Sequence, residues 1–437
     1  MNIRELDSYI ELGLGNNKRL RISLLCATAF LYLTRYSVLQ FARSFSLSTA
    51  IVGGSTLLLF LGCFLVYTIK RPYNIAWDGI LLVVSMYLFF RLTLMFHPEY
   101  KYRFVDAVRD GRFGFRAVFT FGAGIYAYYL IRLFRDDGDK LYRLYSVIAY
   151  AIPCLEIWKL FFNSSNEYEM VFGYQMELAA ILFLAGYLNE RRSVLKLLLS
   201  VGCIAIGVLY GSRGCIIGYV LFFALYLFWK NKMNWKQFLL VSVVFFGAVS
   251  VNSPMIMSFI YDLFASIGLK SRTLYYLAQG NILAVDTARQ DKIWPKYISK
   301  MRSMSIFKGL GVYGDRTLIS TYYPYAHNFV LEILMTVGVF LGGLFLLWML
   351  FQFIKVIRRN KDACGLMTII FGSYALSKLF VSSTFWQETY FWAFLAMLIN
   401  CSRDRNRKRS ALEILQLWLK GQRGVITIHL QHKQTTN

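Results

Sequence analysis

The chain has 437 residues, 57% of them apolar or aromatic and only 16% charged, with a formal net charge of +24. Soluble domains carry roughly 25% charged residues. Here the apolar residues come in blocks of about 20 separated by short basic segments, which is the pattern of a polytopic membrane protein. A soluble enzyme and a disulfide-stapled secreted domain are excluded. The Lys and Arg excess falls between the blocks, as the basic bias of cytoplasmic loops produces, so the charge gives no case for a nucleic-acid partner.

In chain order, membrane spans are expected at 22–41, 48–69, 75–96, 113–134, 144–162, 171–189, 194–211, 214–230, 238–260, 326–354, 364–381 and 388–401. These twelve are read as helices, because a backbone in lipid must satisfy its own hydrogen bonds. The last is the shortest, below the roughly 17 residues of a perpendicular span. The fold class is therefore all-α, one transmembrane domain over 1–401 with about 12 helices. No cleavable signal peptide is read in the mostly polar first 21 residues. Both termini are placed in the cytoplasm, which puts most Lys and Arg inside; the outer segment 97–112, with Lys101, Arg103, Arg109 and Arg112, conflicts.

The seven cysteines lie in or at the edges of apolar blocks without a CxxC pair, and read as small buried residues, not ligands or disulfides. Four histidines with no HExxH give little support to a metal site, so no metal or cofactor is expected.

Residues 261–325 form one long extracytoplasmic loop, and loops of that length are usually functional. Within it Ile293, Trp294, Tyr297, Ile298 and Met301 recur at helical spacing beside a basic stripe of Arg289, Lys292, Lys296 and Lys300. Such an amphipathic helix is expected to lie in the membrane interface, apolar face down, beginning or kinking at Pro295. Gly309-Leu310-Gly311 marks a turn before the next span. The tail, 402–437, opens with Arg403, Arg405, Arg407, Lys408 and Arg409 and continues as an apolar-rich interfacial segment on the cytoplasmic side.

Ionisable groups inside spans face a cavity or a partner. They are Arg35, Asp78, Arg91, Arg116, Glu156, Lys159, Glu177 and Lys378. Glu156 and Lys159, three apart, read as a mutual pair; Asp78 and Arg91 need other partners; Glu177, with no basic neighbour in sequence, reads as a cavity-lining group. Arg213, in Gly211-Ser212-Arg213-Gly214, is lifted to the outer rim by a tight hairpin, where a guanidinium either binds phosphate or snorkels to headgroups. His327 stands at the outer boundary at the end of the long loop, matched to proton transfer or serving as an interfacial cap. Arg213, Arg289 and His327 share the outer face on three separate segments. A base with two cations there suits transfer from a lipid-linked diphosphate.

At these residues the chain resembles the O-antigen polymerase and O-antigen ligase family of bacterial envelope proteins. The resemblance covers roughly 170–350. It rests on Gly211-Ser212-Arg213-Gly214, then on Arg289…Ile293-Trp294 with Phe307-Lys308-Gly309-Leu310-Gly311, then on Ala326-His327-Asn328…Leu331-Glu332-Ile333-Leu334…Gly338…Gly342. It implies a C-type-like glycosyltransferase of the bacterial cytoplasmic membrane, using an undecaprenyl-diphosphate-linked glycan without a metal. It also implies membrane lipids, a chain-length regulator and a flippase as partners. By that pattern Arg213 and Arg289 engage the diphosphate and His327 activates the acceptor hydroxyl. The family's glycine before the loop arginine is Ala288 here, and Arg272 is the alternative second arginine. Arg272, Lys292, Arg316, Asn328, Glu332 and Glu177 complete the candidate substrate-binding set. Polymerisation of repeat units is the first reading, ligation to another acceptor the second, and transport of the lipid-linked glycan the third.

Overall fold

The computed structural model describes residues 20, 22–34, 37–38, 48–70, 77–100, 124–134, 137–162, 170–190, 193–210, 214–231, 254–266, 275, 278, 293–318, 326–381 and 383–402. Every regular element among them is helical. In order they are α1 (Ile22–Thr34), α2 (Thr49–Lys70), α3 (Trp77–Phe96), α4 (124–132), α5 (Gly138–Phe162), α6 (Met170–Asn189), α7 (Val194–Tyr210) and α8 (Gly214–Trp229). Then follow α9 (Pro254–Ser266), α10 (Trp294–Ser303), a one-turn 3-10 helix (Gly314–Leu318), α11 (Phe329–Val337), α12 (Val339–Arg359), α13 (Ala363–Val381) and α14 (Thr389–Ser402).

Four stretches among the described residues are long and apolar enough to cross a membrane: Asp78–Phe96, Val171–Asn189, Val339–Arg359 and Ala363–Phe380. They divide by burial. α6 and α13 lie in the centre, packed on α5, α8 and each other, so apolar side chains all round both helices find protein partners. α3 and α12 are on the outside and expose Leu81, Leu88 and Met95, and Leu344, Leu347 and Phe351. Unpartnered apolar faces of that size suit contact with lipid chains. α14, the shortest expected span, is buried along nearly its whole length, from Thr389 to Leu398 and again at Asn400 and Cys401. Its 14 residues rise only about 21 Å, short of a membrane's hydrocarbon core, and their side chains meet protein along that length.

Contacts sort the helix ends into two groups. At one end Arg132 Nε reaches Asp78 Oδ2 at 2.5 Å, and Arg132 also bonds the Asn400 amide, which donates to the Ile131 carbonyl at 3.0 Å. The Trp229 indole donates to the Asn360 carbonyl at 2.6 Å, and Asn360 Nδ2 to the Cys401 carbonyl at 3.3 Å. At the other end, Val312 N–H donates to Thr93 Oγ1 at 3.2 Å and Gln387 Nε2 to the Tyr313 hydroxyl at 3.5 Å.

Three expectations are corrected. The segment 326–354 is not one span: it breaks at Gly338, whose φ of +98° ends α11, and α12 alone is long enough to cross. A glycine tolerates that backbone conformation without a Cβ clash. Cys364 and Cys401 form a disulfide, because α13 begins and α14 ends side by side; Cys26, Cys63, Cys154, Cys203 and Cys215 are free thiols. Glu156 is buried and its Oε1 accepts from Ser37 Oγ at 2.8 Å, a partner 119 residues away; the Lys159 side chain, expected to pair with it, lies outside what is described. α9 runs to Ser266, past the expected end of its span at 260. Asp78 finds the other partner it needs in Arg132, which is buried. Residues 403–437, and with them the expected tail helix, lie outside the described residues.

Candidate functional site

The described end of the long loop is built onto α11. Pro295 sits in the first turn of α10, where a missing N–H leaves no broken bond, so the helix begins there and does not kink. Ile293 and Tyr297 turn inward and form a small core with Ala326 and Met335, flanked by Trp294, Met301, Leu310 and Leu331. The apolar side of α10 thus meets protein, not the lipid face expected of it. The reason is that α11 presents its own apolar face, Leu331 and Met335, at the same level. Lys296 stays exposed.

Beyond α10 the chain runs alongside the break at Gly338. Leu310 N–H donates to the Met335 carbonyl at 2.7 Å, Gly311 N–H to the Thr336 carbonyl at 3.0 Å, and Phe340 N–H to the Ile306 carbonyl at 2.9 Å. The first two bonds satisfy carbonyls left open at the end of α11, and the third an N–H left open at the start of α12. The approach is so close that a Cβ at Gly309 would overlap the Thr336 carbonyl. The turn expected at Gly309-Leu310-Gly311 is present, and it stitches the loop to the helix break.

The next residues carry the polar cluster. Asp315 is fully buried, and its Oδ2 accepts from the Tyr297 hydroxyl at 2.8 Å. The Arg316 guanidinium carbon lies 3.6 Å from the centre of the Tyr313 ring, a cation–π distance. Glu332, in the first turn of α11, is also buried; Oε1 accepts from the Thr384 hydroxyl and Oε2 from Phe385 N–H at 3.2 Å. Asp315 and Glu332 both feel the Arg316 charge. Burial pushes the Asp315 carboxyl above the ordinary carboxylate range, against the opposing pull of Arg316 and the Tyr297 hydrogen bond. Burial likewise pushes the Tyr313 phenol up to about 12, and burial with Asp315 drives Tyr297 well above its ordinary value.

His327 leads into α11 between two anchored neighbours. The Trp294 indole N–H donates to the Ala326 carbonyl at 3.3 Å. On the other side Asn328 is the N-cap, its Oδ1 accepting from Val330 N–H at 3.1 Å and Leu331 N–H at 3.3 Å. His327 itself holds a φ of +52° and is half-buried. A side chain in that left-handed region is strained, and it persists where its surroundings over-determine it.

Four residues named from sequence therefore meet at one end of the bundle: His327, Asn328, Glu332 and Arg316. Their bonds are largely internal. Asn328 is spent on the cap and Glu332 on Thr384 and Phe385, while the Arg316 guanidinium lies over the Tyr313 ring with its Nε buried and unbonded. Glu177 is elsewhere. It is fully buried between helices, its Oε1 accepting from Ser377 Oγ at 2.9 Å and filling the notch left by Gly218. It is a packed group and not a cavity wall. Arg213, Arg289, Arg272 and Lys292 lie outside the described residues. Among the described residues no three His, Cys, Asp or Glu side chains converge as a metal site would need.

Sequence reasoning missed Asp315, Thr384 and Glu388. Asp315 carried a faint signal, an acid directly beside Arg316. Thr384 and Glu388 carried none, because their partners are distant in the chain. Comparison with known protein families, with curated proteins and with solved structures gives no match for this chain.

Proposed function

We propose that this membrane protein is a glycosyltransferase that polymerises undecaprenyl-diphosphate-linked oligosaccharide repeat units at the outer face of a bacterial cytoplasmic membrane. The observation that carries the reading is the pinning of His327, strained and half-buried, at the junction of the long loop with α11. The basic segments flanking Asn360, and those before Ile22 and after Ser402, favour the cytoplasm for the end of the bundle that holds Cys364 and Cys401. His327 then faces outward.

In the proposed reaction an acceptor hydroxyl attacks the anomeric carbon of the donor sugar and gives its proton to His327. The bond from that carbon to the diphosphate oxygen breaks, and the lipid diphosphate leaves with the electron pair. Charge grows on the leaving oxygen, and Arg213 with Arg289 or Arg272 offsets it. A single displacement inverts the configuration. Asn328, Glu332, Arg316 and Asp315 shape the histidine's setting in this scheme and do not touch the diphosphate.

The test is a reconstituted assay with purified protein, a synthetic undecaprenyl-diphosphate repeat unit and EDTA. A ladder of products from wild type, lost in His327→Ala, Arg213→Ala and Arg289→Ala and indifferent to EDTA, supports the proposal. No ladder from folded wild-type protein overturns polymerisation, and a lipid A core or other acceptor then tests ligation. One observation favours the transport reading as second: a helix break at Gly338 beside a bundle that buries Glu177 and Glu388. In that case cells lacking the protein would trap repeat units on the inner leaflet.

A further inference from the structure

A chain of polar contacts runs from the bundle interior to the histidine. Lys378, in the last turn of α13, pairs with Glu388 at 2.7 Å. Glu388 precedes α14 and is 3% exposed. Its carboxylate also accepts from Ser383 Oγ at 3.2 Å and from Tyr390 N–H at 3.3 Å. One residue thus closes the turn 383–388 from three sides. Inside that turn, Gln387 N–H and Glu388 N–H both donate to the Thr384 carbonyl, at 3.2 and 3.1 Å. The turn in turn presents the Thr384 hydroxyl and the Phe385 N–H, the two donors that hold Glu332. Glu332 N–H donates to the Asn328 carbonyl at 3.0 Å, and Asn328 caps the helix that His327 enters.

We infer that Lys378 and Glu388 are positioning residues for His327, acting through the 383–388 turn and Glu332. The inference rests on the reading of His327 as the base. An ion pair whose only job is holding two helices together would need neither the Ser383 nor the Tyr390 contact. Here the pair is spent on the geometry of one six-residue turn, whose side-chain and N–H donors face the site. Ser377, beside Lys378, donates to Glu177, which fixes the other side of the lysine's helical turn in the bundle. Lys378 also lies 5.6 Å from the Tyr174 ring centre and 5.8 Å from that of Tyr374, so its stem is confined as well as its charge.

The experiment compares wild type, Lys378→Met, Lys378→Arg and Glu388→Gln as purified full-length protein. Two readouts are taken. The first is product formation per folded molecule with the lipid-linked repeat unit, split into kcat and KM. The second is the rate at which diethyl pyrocarbonate modifies His327, followed by mass spectrometry with His97 as internal reference; it needs no activity. We expect kcat to fall about ten-fold or more in Lys378→Met and Glu388→Gln with KM changed less than about two-fold, and Lys378→Arg to recover most of the loss. The His327 modification rate should move several-fold relative to His97 in the first two variants and little in Lys378→Arg. Unchanged kcat per folded molecule, with unchanged His327 reactivity, overturns the inference. Should wild type make no product while His327 reactivity shifts as expected, the proposed reaction fails and the positioning stands. Should either substitution prevent folding, Thr384→Val, which removes one donor to Glu332 and leaves the ion pair, is read the same way.

Discussion

The Trp294 indole N–H donates to the Ala326 carbonyl at 3.3 Å, and this bond ties the start of the loop helix to the residue before His327. The loop and the helix it precedes are therefore one unit at that point. Trp294→Phe keeps the aromatic packing and removes the donor. A lost buried hydrogen bond of this kind costs about 1 kcal/mol, or roughly a five-fold effect. We expect a fall of a few degrees in melting temperature and a loss of product formation of up to about that factor, checked by parallel thermal-melting and activity measurements.

Gly309→Ala puts a methyl into the Thr336 carbonyl, and backbone cannot move aside as a side-chain tip can. The Leu310 and Gly311 bonds to the end of α11 would break together. Loss of about 2 kcal/mol or more is expected, seen as a lower melting temperature and a lower yield of folded protein. Gly343→Ala, where a Cβ meets nothing within 4 Å, is the control and should melt as wild type.

The Cys364–Cys401 bond closes a loop with a sequence separation of 37. Such a closure is worth up to about 4 kcal/mol in the chain-entropy account. Without reductant, alkylation of unfolded protein should modify only the five free cysteines; after reduction two more should react. Cys364→Ser is expected to lower the melting temperature of oxidised protein and to make it indifferent to reductant. Modification of all seven thiols without reductant, in protein purified under air, would show that the bond does not form.

Asp315 gives the end of the bundle beside His327 a pH dependence of definite sign. Its folded carboxyl holds a proton more tightly than the ordinary aspartate, with Arg316, Glu332, Tyr297 and Tyr313 as its charged and titratable neighbours. The stability that comes from this group is complete below the ordinary aspartate range and is lost as pH rises through the raised folded value. Wild-type melting temperature should therefore fall as pH rises above the ordinary aspartate range, and Asp315→Asn, which can still accept from Tyr297, should show a shallower fall. A steeper fall in the variant would contradict this account.

Hydropathy made most of the fold legible, because burying or lipid-facing an apolar stretch is a property of the stretch alone. The boundaries at 170–189, 194–210, 214–229 and 363–381 follow from composition to within a residue or two. So does the start of α10 at Pro295, since proline acts on its own turn. The turn at Gly309-Leu310-Gly311 was visible for the same local reason.

What tertiary structure decided lies between segments. A run of apolar residues from 326 to 354 reads as one span, and only the approach of Gly309 and Leu310 to the end of α11 shows why it breaks at Gly338. Cys364 and Cys401 look like two unrelated buried thiols until α13 and α14 lie side by side. Glu332 and Asn328 were named as groups for substrate, but their hydrogen bonds are taken up by Thr384, Phe385 and the helix cap. Glu388 carried no signal at all. Sequence alone determined which stretches are apolar enough to leave water, because transfer into an apolar medium depends on each side chain singly. Which polar groups spend themselves on one another was decided only by the fold, because a hydrogen bond or ion pair needs two partners at about 3 Å, and partners tens to hundreds of residues apart meet only once the helices have packed.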